Sequence, residues 1–140
     1  MENKTDYTIL TKFRNKKQAE HLIEELEKRN YSCYNFFDIP NNSKMSSNNP
    51  AKYMKKMESV KDFLKDSYFQ MVFQKDLQGL KNASKVIVLL PAGNSVHIEA
   101  GIAYGLGKKL ILIGEIQKPE SLYLIFDQHF KTTDDFLKNL

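Results

Sequence analysis

The 140-residue chain has no tryptophan, one cysteine, four prolines and six glycines. The lone Cys33 excludes an internal disulfide and any zinc site built on cysteines, and it fits a reducing compartment. No apolar run approaches the ~20 residues needed to span a bilayer. The first residues, MENKTDYTIL, carry acids and no apolar core, which predicts no secretory leader and a cytoplasmic protein. Charge of one sign is also lacking. Lys and Arg number 21 against 17 Asp and Glu, a net charge of +4. Residues 1–70 hold 13 basic and 10 acidic side chains and residues 71–140 hold 8 and 7. An excess so evenly spread predicts neither a nucleic-acid nor a membrane partner. Phosphate-loop, GxGxxG and metal-ligand spacings are missing, which removes ATPase, dehydrogenase and zinc-hydrolase readings, so neither cofactor nor metal is expected. The length fits a single domain over residues 1–140, with one core and one pocket.

What is present alternates between two periods. Tyr7 to Leu10 is short and β-rich and predicts a strand. Ala19, Leu22, Ile23 and Leu26 recur at i, i+3, i+4, i+7 and predict a helix over 16–29, stopped by Asn30. Aromatic-rich Tyr31 to Phe37 predicts a second strand ending at Asp38, Ile39 and Pro40. The Asn/Ser/Pro segment 40–50 reads as a loop or as a lid beside a strand end. A Lys- and Met-rich stretch over 51–65 predicts one helix or two short ones. Phe69, Val72, Phe73, Leu77, Leu80 and Ala83 form the stripe of a helix over 67–83. Val86 to Leu90, closed by Pro91, has the pattern of a strand buried on both faces. A turn over 91–95 leads to a small-residue helix over 96–106, stopped at Gly107. Further strands are predicted over 110–113 and 122–126, with a last helix over 134–140. Regular alternation with right-handed crossovers predicts a three-layer open parallel α/β sheet of flavodoxin or Rossmann type with about five strands.

Two acids interrupt apolar stripes. Asp76 stands i+7 from Phe69 and i+4 from Val72, and Glu99 shares a stripe with Ile102, Ala103 and Leu106. A carboxylate taken from water needs partners or a raised pKa, and active sites are where that cost is tolerated. Two solvated acids on stripe borders remain the bland reading. Glu99 is expected in the first turn of its helix, where the positive helix end would keep it ionised. Gly101, Gly105 and Gly107 predict close approach of helix to sheet or of ligand to helix.

From Asp76 to Lys108 the chain resembles the nucleoside 2-deoxyribosyltransferase family. That family carries N-D-L-x-G-I on a helix, then a buried strand, a turn and E-x-G-x-A-x-x-x-G-K. Here the text is Lys75-Asp76-Leu77-Gln78-Gly79-Leu80, then VIVLL, then Glu99-Ala100-Gly101-Ile102-Ala103-Tyr104-Gly105-Leu106-Gly107-Lys108. The resemblance implies cleavage or transfer at the N-glycosidic bond of a nucleoside, nucleotide or related N-glycoside. It gives Glu99 the role of nucleophile on the anomeric carbon and Asp76 that of holding substrate and handling the base's proton. It implies sugar or base contacts at Thr11 and Phe13. Ser95 and the amides around Asn94 to Val96 are the candidates for a 5′-phosphate. Asp38, Gly93 and His97 complete the candidate substrate-binding set, His97 as a general acid or phosphate contact if it is not simply solvent-facing. It further implies a homo-oligomer in which a neighbour completes the pocket.

The resemblance also implies an acid in the turn before the nucleophile. Residues 92–97 here read Ala-Gly-Asn-Ser-Val-His and carry none. That departure weighs against transfer between ordinary deoxynucleosides and toward hydrolysis. Two other readings stay open: a nicotinamide-type N-glycoside hydrolase with the chemistry of TIR domains, and a nucleotide-binding sensor without turnover.

Overall fold

The computed structural model describes residues 5–37 and 49–140. Five strands form one parallel sheet in the order β2-β1-β3-β4-β5: β1 (Thr5–Leu10), β2 (Cys33–Tyr34), β3 (Ala83–Leu89), β4 (Lys109–Ile113) and β5 (Gln128–Phe130). Five α-helices accompany them: α1 (Lys16–Lys28), α2 (Pro50–Glu58), α3 (Ser67–Asn82), α4 (Asn94–Gly105) and α5 (Thr133–Lys138). This is the three-layer architecture expected from the alternation.

The sheet separates two apolar layers. Tyr7, Ile9, Ile87, Leu89, Ile111 and Ile113 pack with Ala19, Leu22, Ile23 and Leu26 of α1 and with Phe136 of α5. On the opposite face Leu10, Val86, Val88, Leu110 and Leu112 pack with Leu80 of α3 and with Val96, Ala100 and Ala103 of α4. Alternate residues of each strand thus serve opposite layers, which is why β3 reads as a continuous apolar run. The α1 stripe is entirely buried.

Two strands differ from expectation. Only Cys33 and Tyr34 of the aromatic stretch pair with β1. Phe36 and Phe37 instead turn into a cluster with Phe13. The apolar run 122–126 is not a strand but part of a 3-10 turn, Ser121–Ile125, and the fifth strand lies just after it. Leu122 and Leu124 are exposed, so the run has no sheet position to fill. Short apolar runs do not by themselves distinguish strand from helix.

The glycines separate by role. A Cβ on buried Gly79 of α3 would come within 2.6 Å of the Tyr34 ring, so this glycine lets α3 close onto the edge strand. Gly107 adopts φ 76° and ends α4, where its N–H and that of Lys108 reach back to Tyr104 and Ala103. Gly101 and Gly105 have open space around them, so close packing is not what they provide. Gly79→Ala is expected to lower stability by about 1–3 kcal/mol, the cost of overpacking, whereas Gly101→Ala should leave it equal or raise it. Urea unfolding of both variants checks this contrast.

Candidate active site

In an open parallel sheet the ligand crevice lies beyond the carboxyl ends of the strands, where the strand order reverses. Here that place is between β1 and β3. The chain leaves β1 through Thr11, Lys12 and Phe13, and leaves β3 through Pro91, Ala92 and Gly93 into α4. A cavity of about 590 Å³ opens there, lined by Thr11, Lys12, Phe13, Gly93, Asn94, Ser95 and both acids, Asp76 and Glu99. Helix α2 supplies Tyr53, Met54, Met57 and Glu58 to its wall, and Phe36 and Val72 add apolar surface. That volume suits a nucleotide-sized ligand.

The acids come from α3 and α4, which pack side by side on one face of the sheet. Both are half-buried, and neither carboxylate takes part in a hydrogen bond or ion pair with a described residue. Burial pushes Asp76 up to about 6, with Lys75 opposing. Burial, and then the charge of Asp76, push Glu99 up to about 8. The expectation that the helix end keeps Glu99 ionised is therefore corrected. Helix α4 begins at Asn94, so Glu99 lies in its second turn, where the dipole has faded and desolvation dominates. Between about pH 6 and 8 the two carboxyls together hold one proton.

One end of the cavity is suited to negative charge. Gly93 caps α4 without any side-chain bond, and no acid stands in the first turn. The first-turn N–H groups have no intrahelical acceptors, and Ser95 and Asn94 are exposed beside them. The Lys12 side chain runs past Gly93, its Cε 3.9 Å from where a Cβ would sit. Its ammonium has no partner among the described residues. Arg14 lies nearby and pairs with Glu58 of α2 at 2.9 Å, both well exposed.

Part of the wall is aromatic. Phe13 stacks on Tyr53 with centroids 4.8 Å apart and meets Phe36 and Phe37 edge-on. The buried Tyr53 hydroxyl lies 3.1 Å from that of Tyr68 in α3.

Not every expected residue joins the site. Thr11 lines the cavity, but its hydroxyl donates to the carbonyls of Leu89 and Pro91 (2.7 and 3.3 Å) and accepts from Asn15. It clamps β1 to the turn after β3 rather than offering a free group to ligand. His97 does not line this cavity. Its Nδ1 bonds to the Gly93 carbonyl at 2.7 Å and its Nε2 to the Tyr123 hydroxyl at 3.1 Å, which turns the ring into a separate depression toward residues 115–120. Asp38 and the segment 40–48 lie outside the described residues. Of the stretch read as a loop or lid, Asn49 caps α2 with its side-chain oxygen, and Pro50 opens that helix. Lys12, Arg14 and the α2 residues were not anticipated. The spacing of Tyr53, Met54 and Met57 on a Lys-rich helix is the signal that marks them.

No family model matches this chain, and no curated protein matches it. Solved structures do align with nearly all of it, two of them enzymes. One is the CMP N-glycosidase BcmB of Clostridium botulinum, with 20% identity, a TM-score of 0.57, and coverage of 96% of this chain and 97% of that one. The other is a 2-deoxyribosyltransferase of Bacillus psychrosaccharolyticus, with 16% identity, a TM-score of 0.62, and coverage of 94% and 90%. At these identities the likeness shows a shared fold, the one that the motif over residues 76–108 implied.

Proposed function

We propose that the protein cleaves the N-glycosidic bond of a nucleoside 5′-phosphate, with Glu99 as nucleophile and Asp76 as the acid serving the departing base. The observation that carries this reading is the pair of half-buried carboxylates without hydrogen-bond partners among the described residues, facing one cavity at the sheet's switch point. The one proton between them rests mainly on Glu99 in the free protein, and the productive form is the minor one in which Asp76 carries it and Glu99 is ionised. An oxygen of Glu99 then forms a bond to C1′ while the C1′–N bond breaks, its electron pair leaves with the base, and Asp76 protonates that base. Water, or a second base, then attacks C1′ and frees Glu99.

The charge layout favours a phosphorylated substrate. Lys12 and the open end of α4 line the same cavity as the acids and the aromatic residues Phe13, Phe36 and Tyr53, a set that could serve phosphate, sugar and base. The solved structures of the same fold include an enzyme whose name specifies CMP, which supports the same substrate class.

A homo-oligomer is part of the proposal. Asp76 and Glu99 also border a groove of about 200 Å³ between α3 and α4, flanked by Phe73 and Ile98, which are 55% and 65% exposed. A second copy covering this face would shield the acids from the far side.

The test is to incubate the protein with deoxynucleosides, ribo- and deoxynucleoside 5′-monophosphates and NAD, and to follow free base. Release from a monophosphate that exceeds release from its nucleoside at least tenfold is expected. Release from NAD alone would move the protein to nicotinamide chemistry, and binding without release would make it a sensor. Adding a second base and finding a new nucleoside would show transfer rather than hydrolysis.

A further inference from the structure

Two buried phenols that share one hydrogen bond leave one hydrogen over. Tyr53 and Tyr68 are 3% and 5% exposed, their hydroxyls 3.1 Å apart, and either could be the donor. If Tyr53 donated, the hydrogen of Tyr68 would be stranded away from the cavity, at about 1–3 kcal/mol for an unmet buried donor. If Tyr68 donates, the remaining hydrogen belongs to Tyr53, which lines the cavity with Asp76 and Glu99. The second arrangement costs less. It also makes Tyr53 the better donor, because a hydroxyl that accepts a hydrogen bond gives its own more strongly.

We propose that Tyr53 donates this hydrogen bond to the base as it departs, with Tyr68 behind it as a positioning residue; this rests on the N-glycoside reading above. The ring of Tyr53 is fixed by its stack on Phe13, so its hydroxyl has little freedom to turn elsewhere. As the C1′–N bond breaks, negative charge spreads over the base and reaches its carbonyl oxygen. A fixed donor there stabilises the transition state more than the ground state. The proton of Tyr53 stays on its oxygen, since burial first, and then the bond to Tyr68, hold the phenol above its usual range. Asp76 remains the group that transfers a proton.

The test compares Tyr53→Phe and Tyr68→Phe with the wild-type protein on deoxyuridine 5′-monophosphate and its 5-fluoro analogue, whose base is the better leaving group. Tyr53→Phe should lower kcat/KM about 10–100-fold on the parent nucleotide and at most about fivefold on the fluoro analogue. Tyr68→Phe should show the same trend at about 2–5-fold on the parent, because Tyr53 keeps its hydrogen but loses polarisation. Equal losses on both substrates would overturn the proposal and leave the pair a packing element. Calorimetry in a Glu99→Gln background supplies a readout without turnover. There Tyr53→Phe should weaken binding of the parent nucleotide about 3–10-fold, and unchanged affinity would overturn the proposal. If the wild-type protein releases no base, the glycosidase reading falls, and the calorimetric comparison still decides whether Tyr53 contacts the ligand.

Discussion

Glu99→Gln lowers the release of base at least about a thousandfold while nucleotide affinity stays within about tenfold. A thousandfold loss corresponds to about 4 kcal/mol of transition-state stabilisation. The asymmetry follows from the role: a nucleophile forms its bond only on the way to the transition state, so its removal is felt in kcat far more than in binding. The amide keeps the size of the side chain and removes the oxygen that attacks. A second effect accompanies it. Burial, and then the charge of Asp76, push folded Glu99 up to about 8, against an ordinary 4.5. Between those values the folded state binds more protons than the unfolded state, so the stability Glu99 contributes is full below 4.5 and lost as pH rises through about 8. Glutamine never ionises. The variant should therefore gain on the wild-type protein as pH rises, by on the order of 1–2 kcal/mol at pH 8.5, read as a Tm higher by several degrees. Lost activity with gained stability is the mark of a residue kept for chemistry.

Asp76→Asn changes the shape of the pH profile as well as the rate. In the wild-type protein kcat/KM should be bell-shaped, with limbs near 6 and near 8 that belong to the pair jointly. Below the first limb both acids are protonated and no nucleophile exists; above the second neither can protonate the base. Removing Asp76 removes the charge that helps raise Glu99, so Glu99 ionises at lower pH. The variant should lose about 10²–10⁴-fold in kcat/KM. Its activity should rise with pH through a single ionisation below 8 and then level off, because no acid remains to be lost. An intact bell in the variant would remove Asp76 from proton handling.

The sequence carried most of the fold because the dominant forces are periodic. Ala19, Leu22, Ile23 and Leu26 show a helix face, and the apolar run of β3 shows burial on both sides. The exceptions have local causes. Phe36 and Phe37 have strand-like chemistry but pack against Phe13 instead of extending the sheet edge. Leu122 and Leu124 lie on a 3-10 turn and face solvent. The acids were legible because charge interrupts an apolar stripe. Their ionisation was not, because it depends on two residues of helix length and on how closely α3 and α4 pack. Tyr53 was silent, since a tyrosine on an amphipathic helix looks like core until its hydroxyl is found against another. For His97 the sequence leaves both a solvent-facing and a functional reading open, and the bond to the carbonyl of Gly93 turns it away from the cavity of the acids.

The proposed chemistry requires a covalent bond between Glu99 and C1′. The direct measurement is to treat the protein with a 2′-fluoro-arabinonucleotide, whose fluorine slows breakdown of a glycosyl-enzyme, and to analyse intact protein and peptides by mass spectrometry. Stoichiometric release of base with one sugar phosphate on the peptide containing Glu99, and none on Glu99→Gln, is the predicted result. Base release from the natural nucleotide with no adduct on any peptide, or an adduct on another residue, would contradict it.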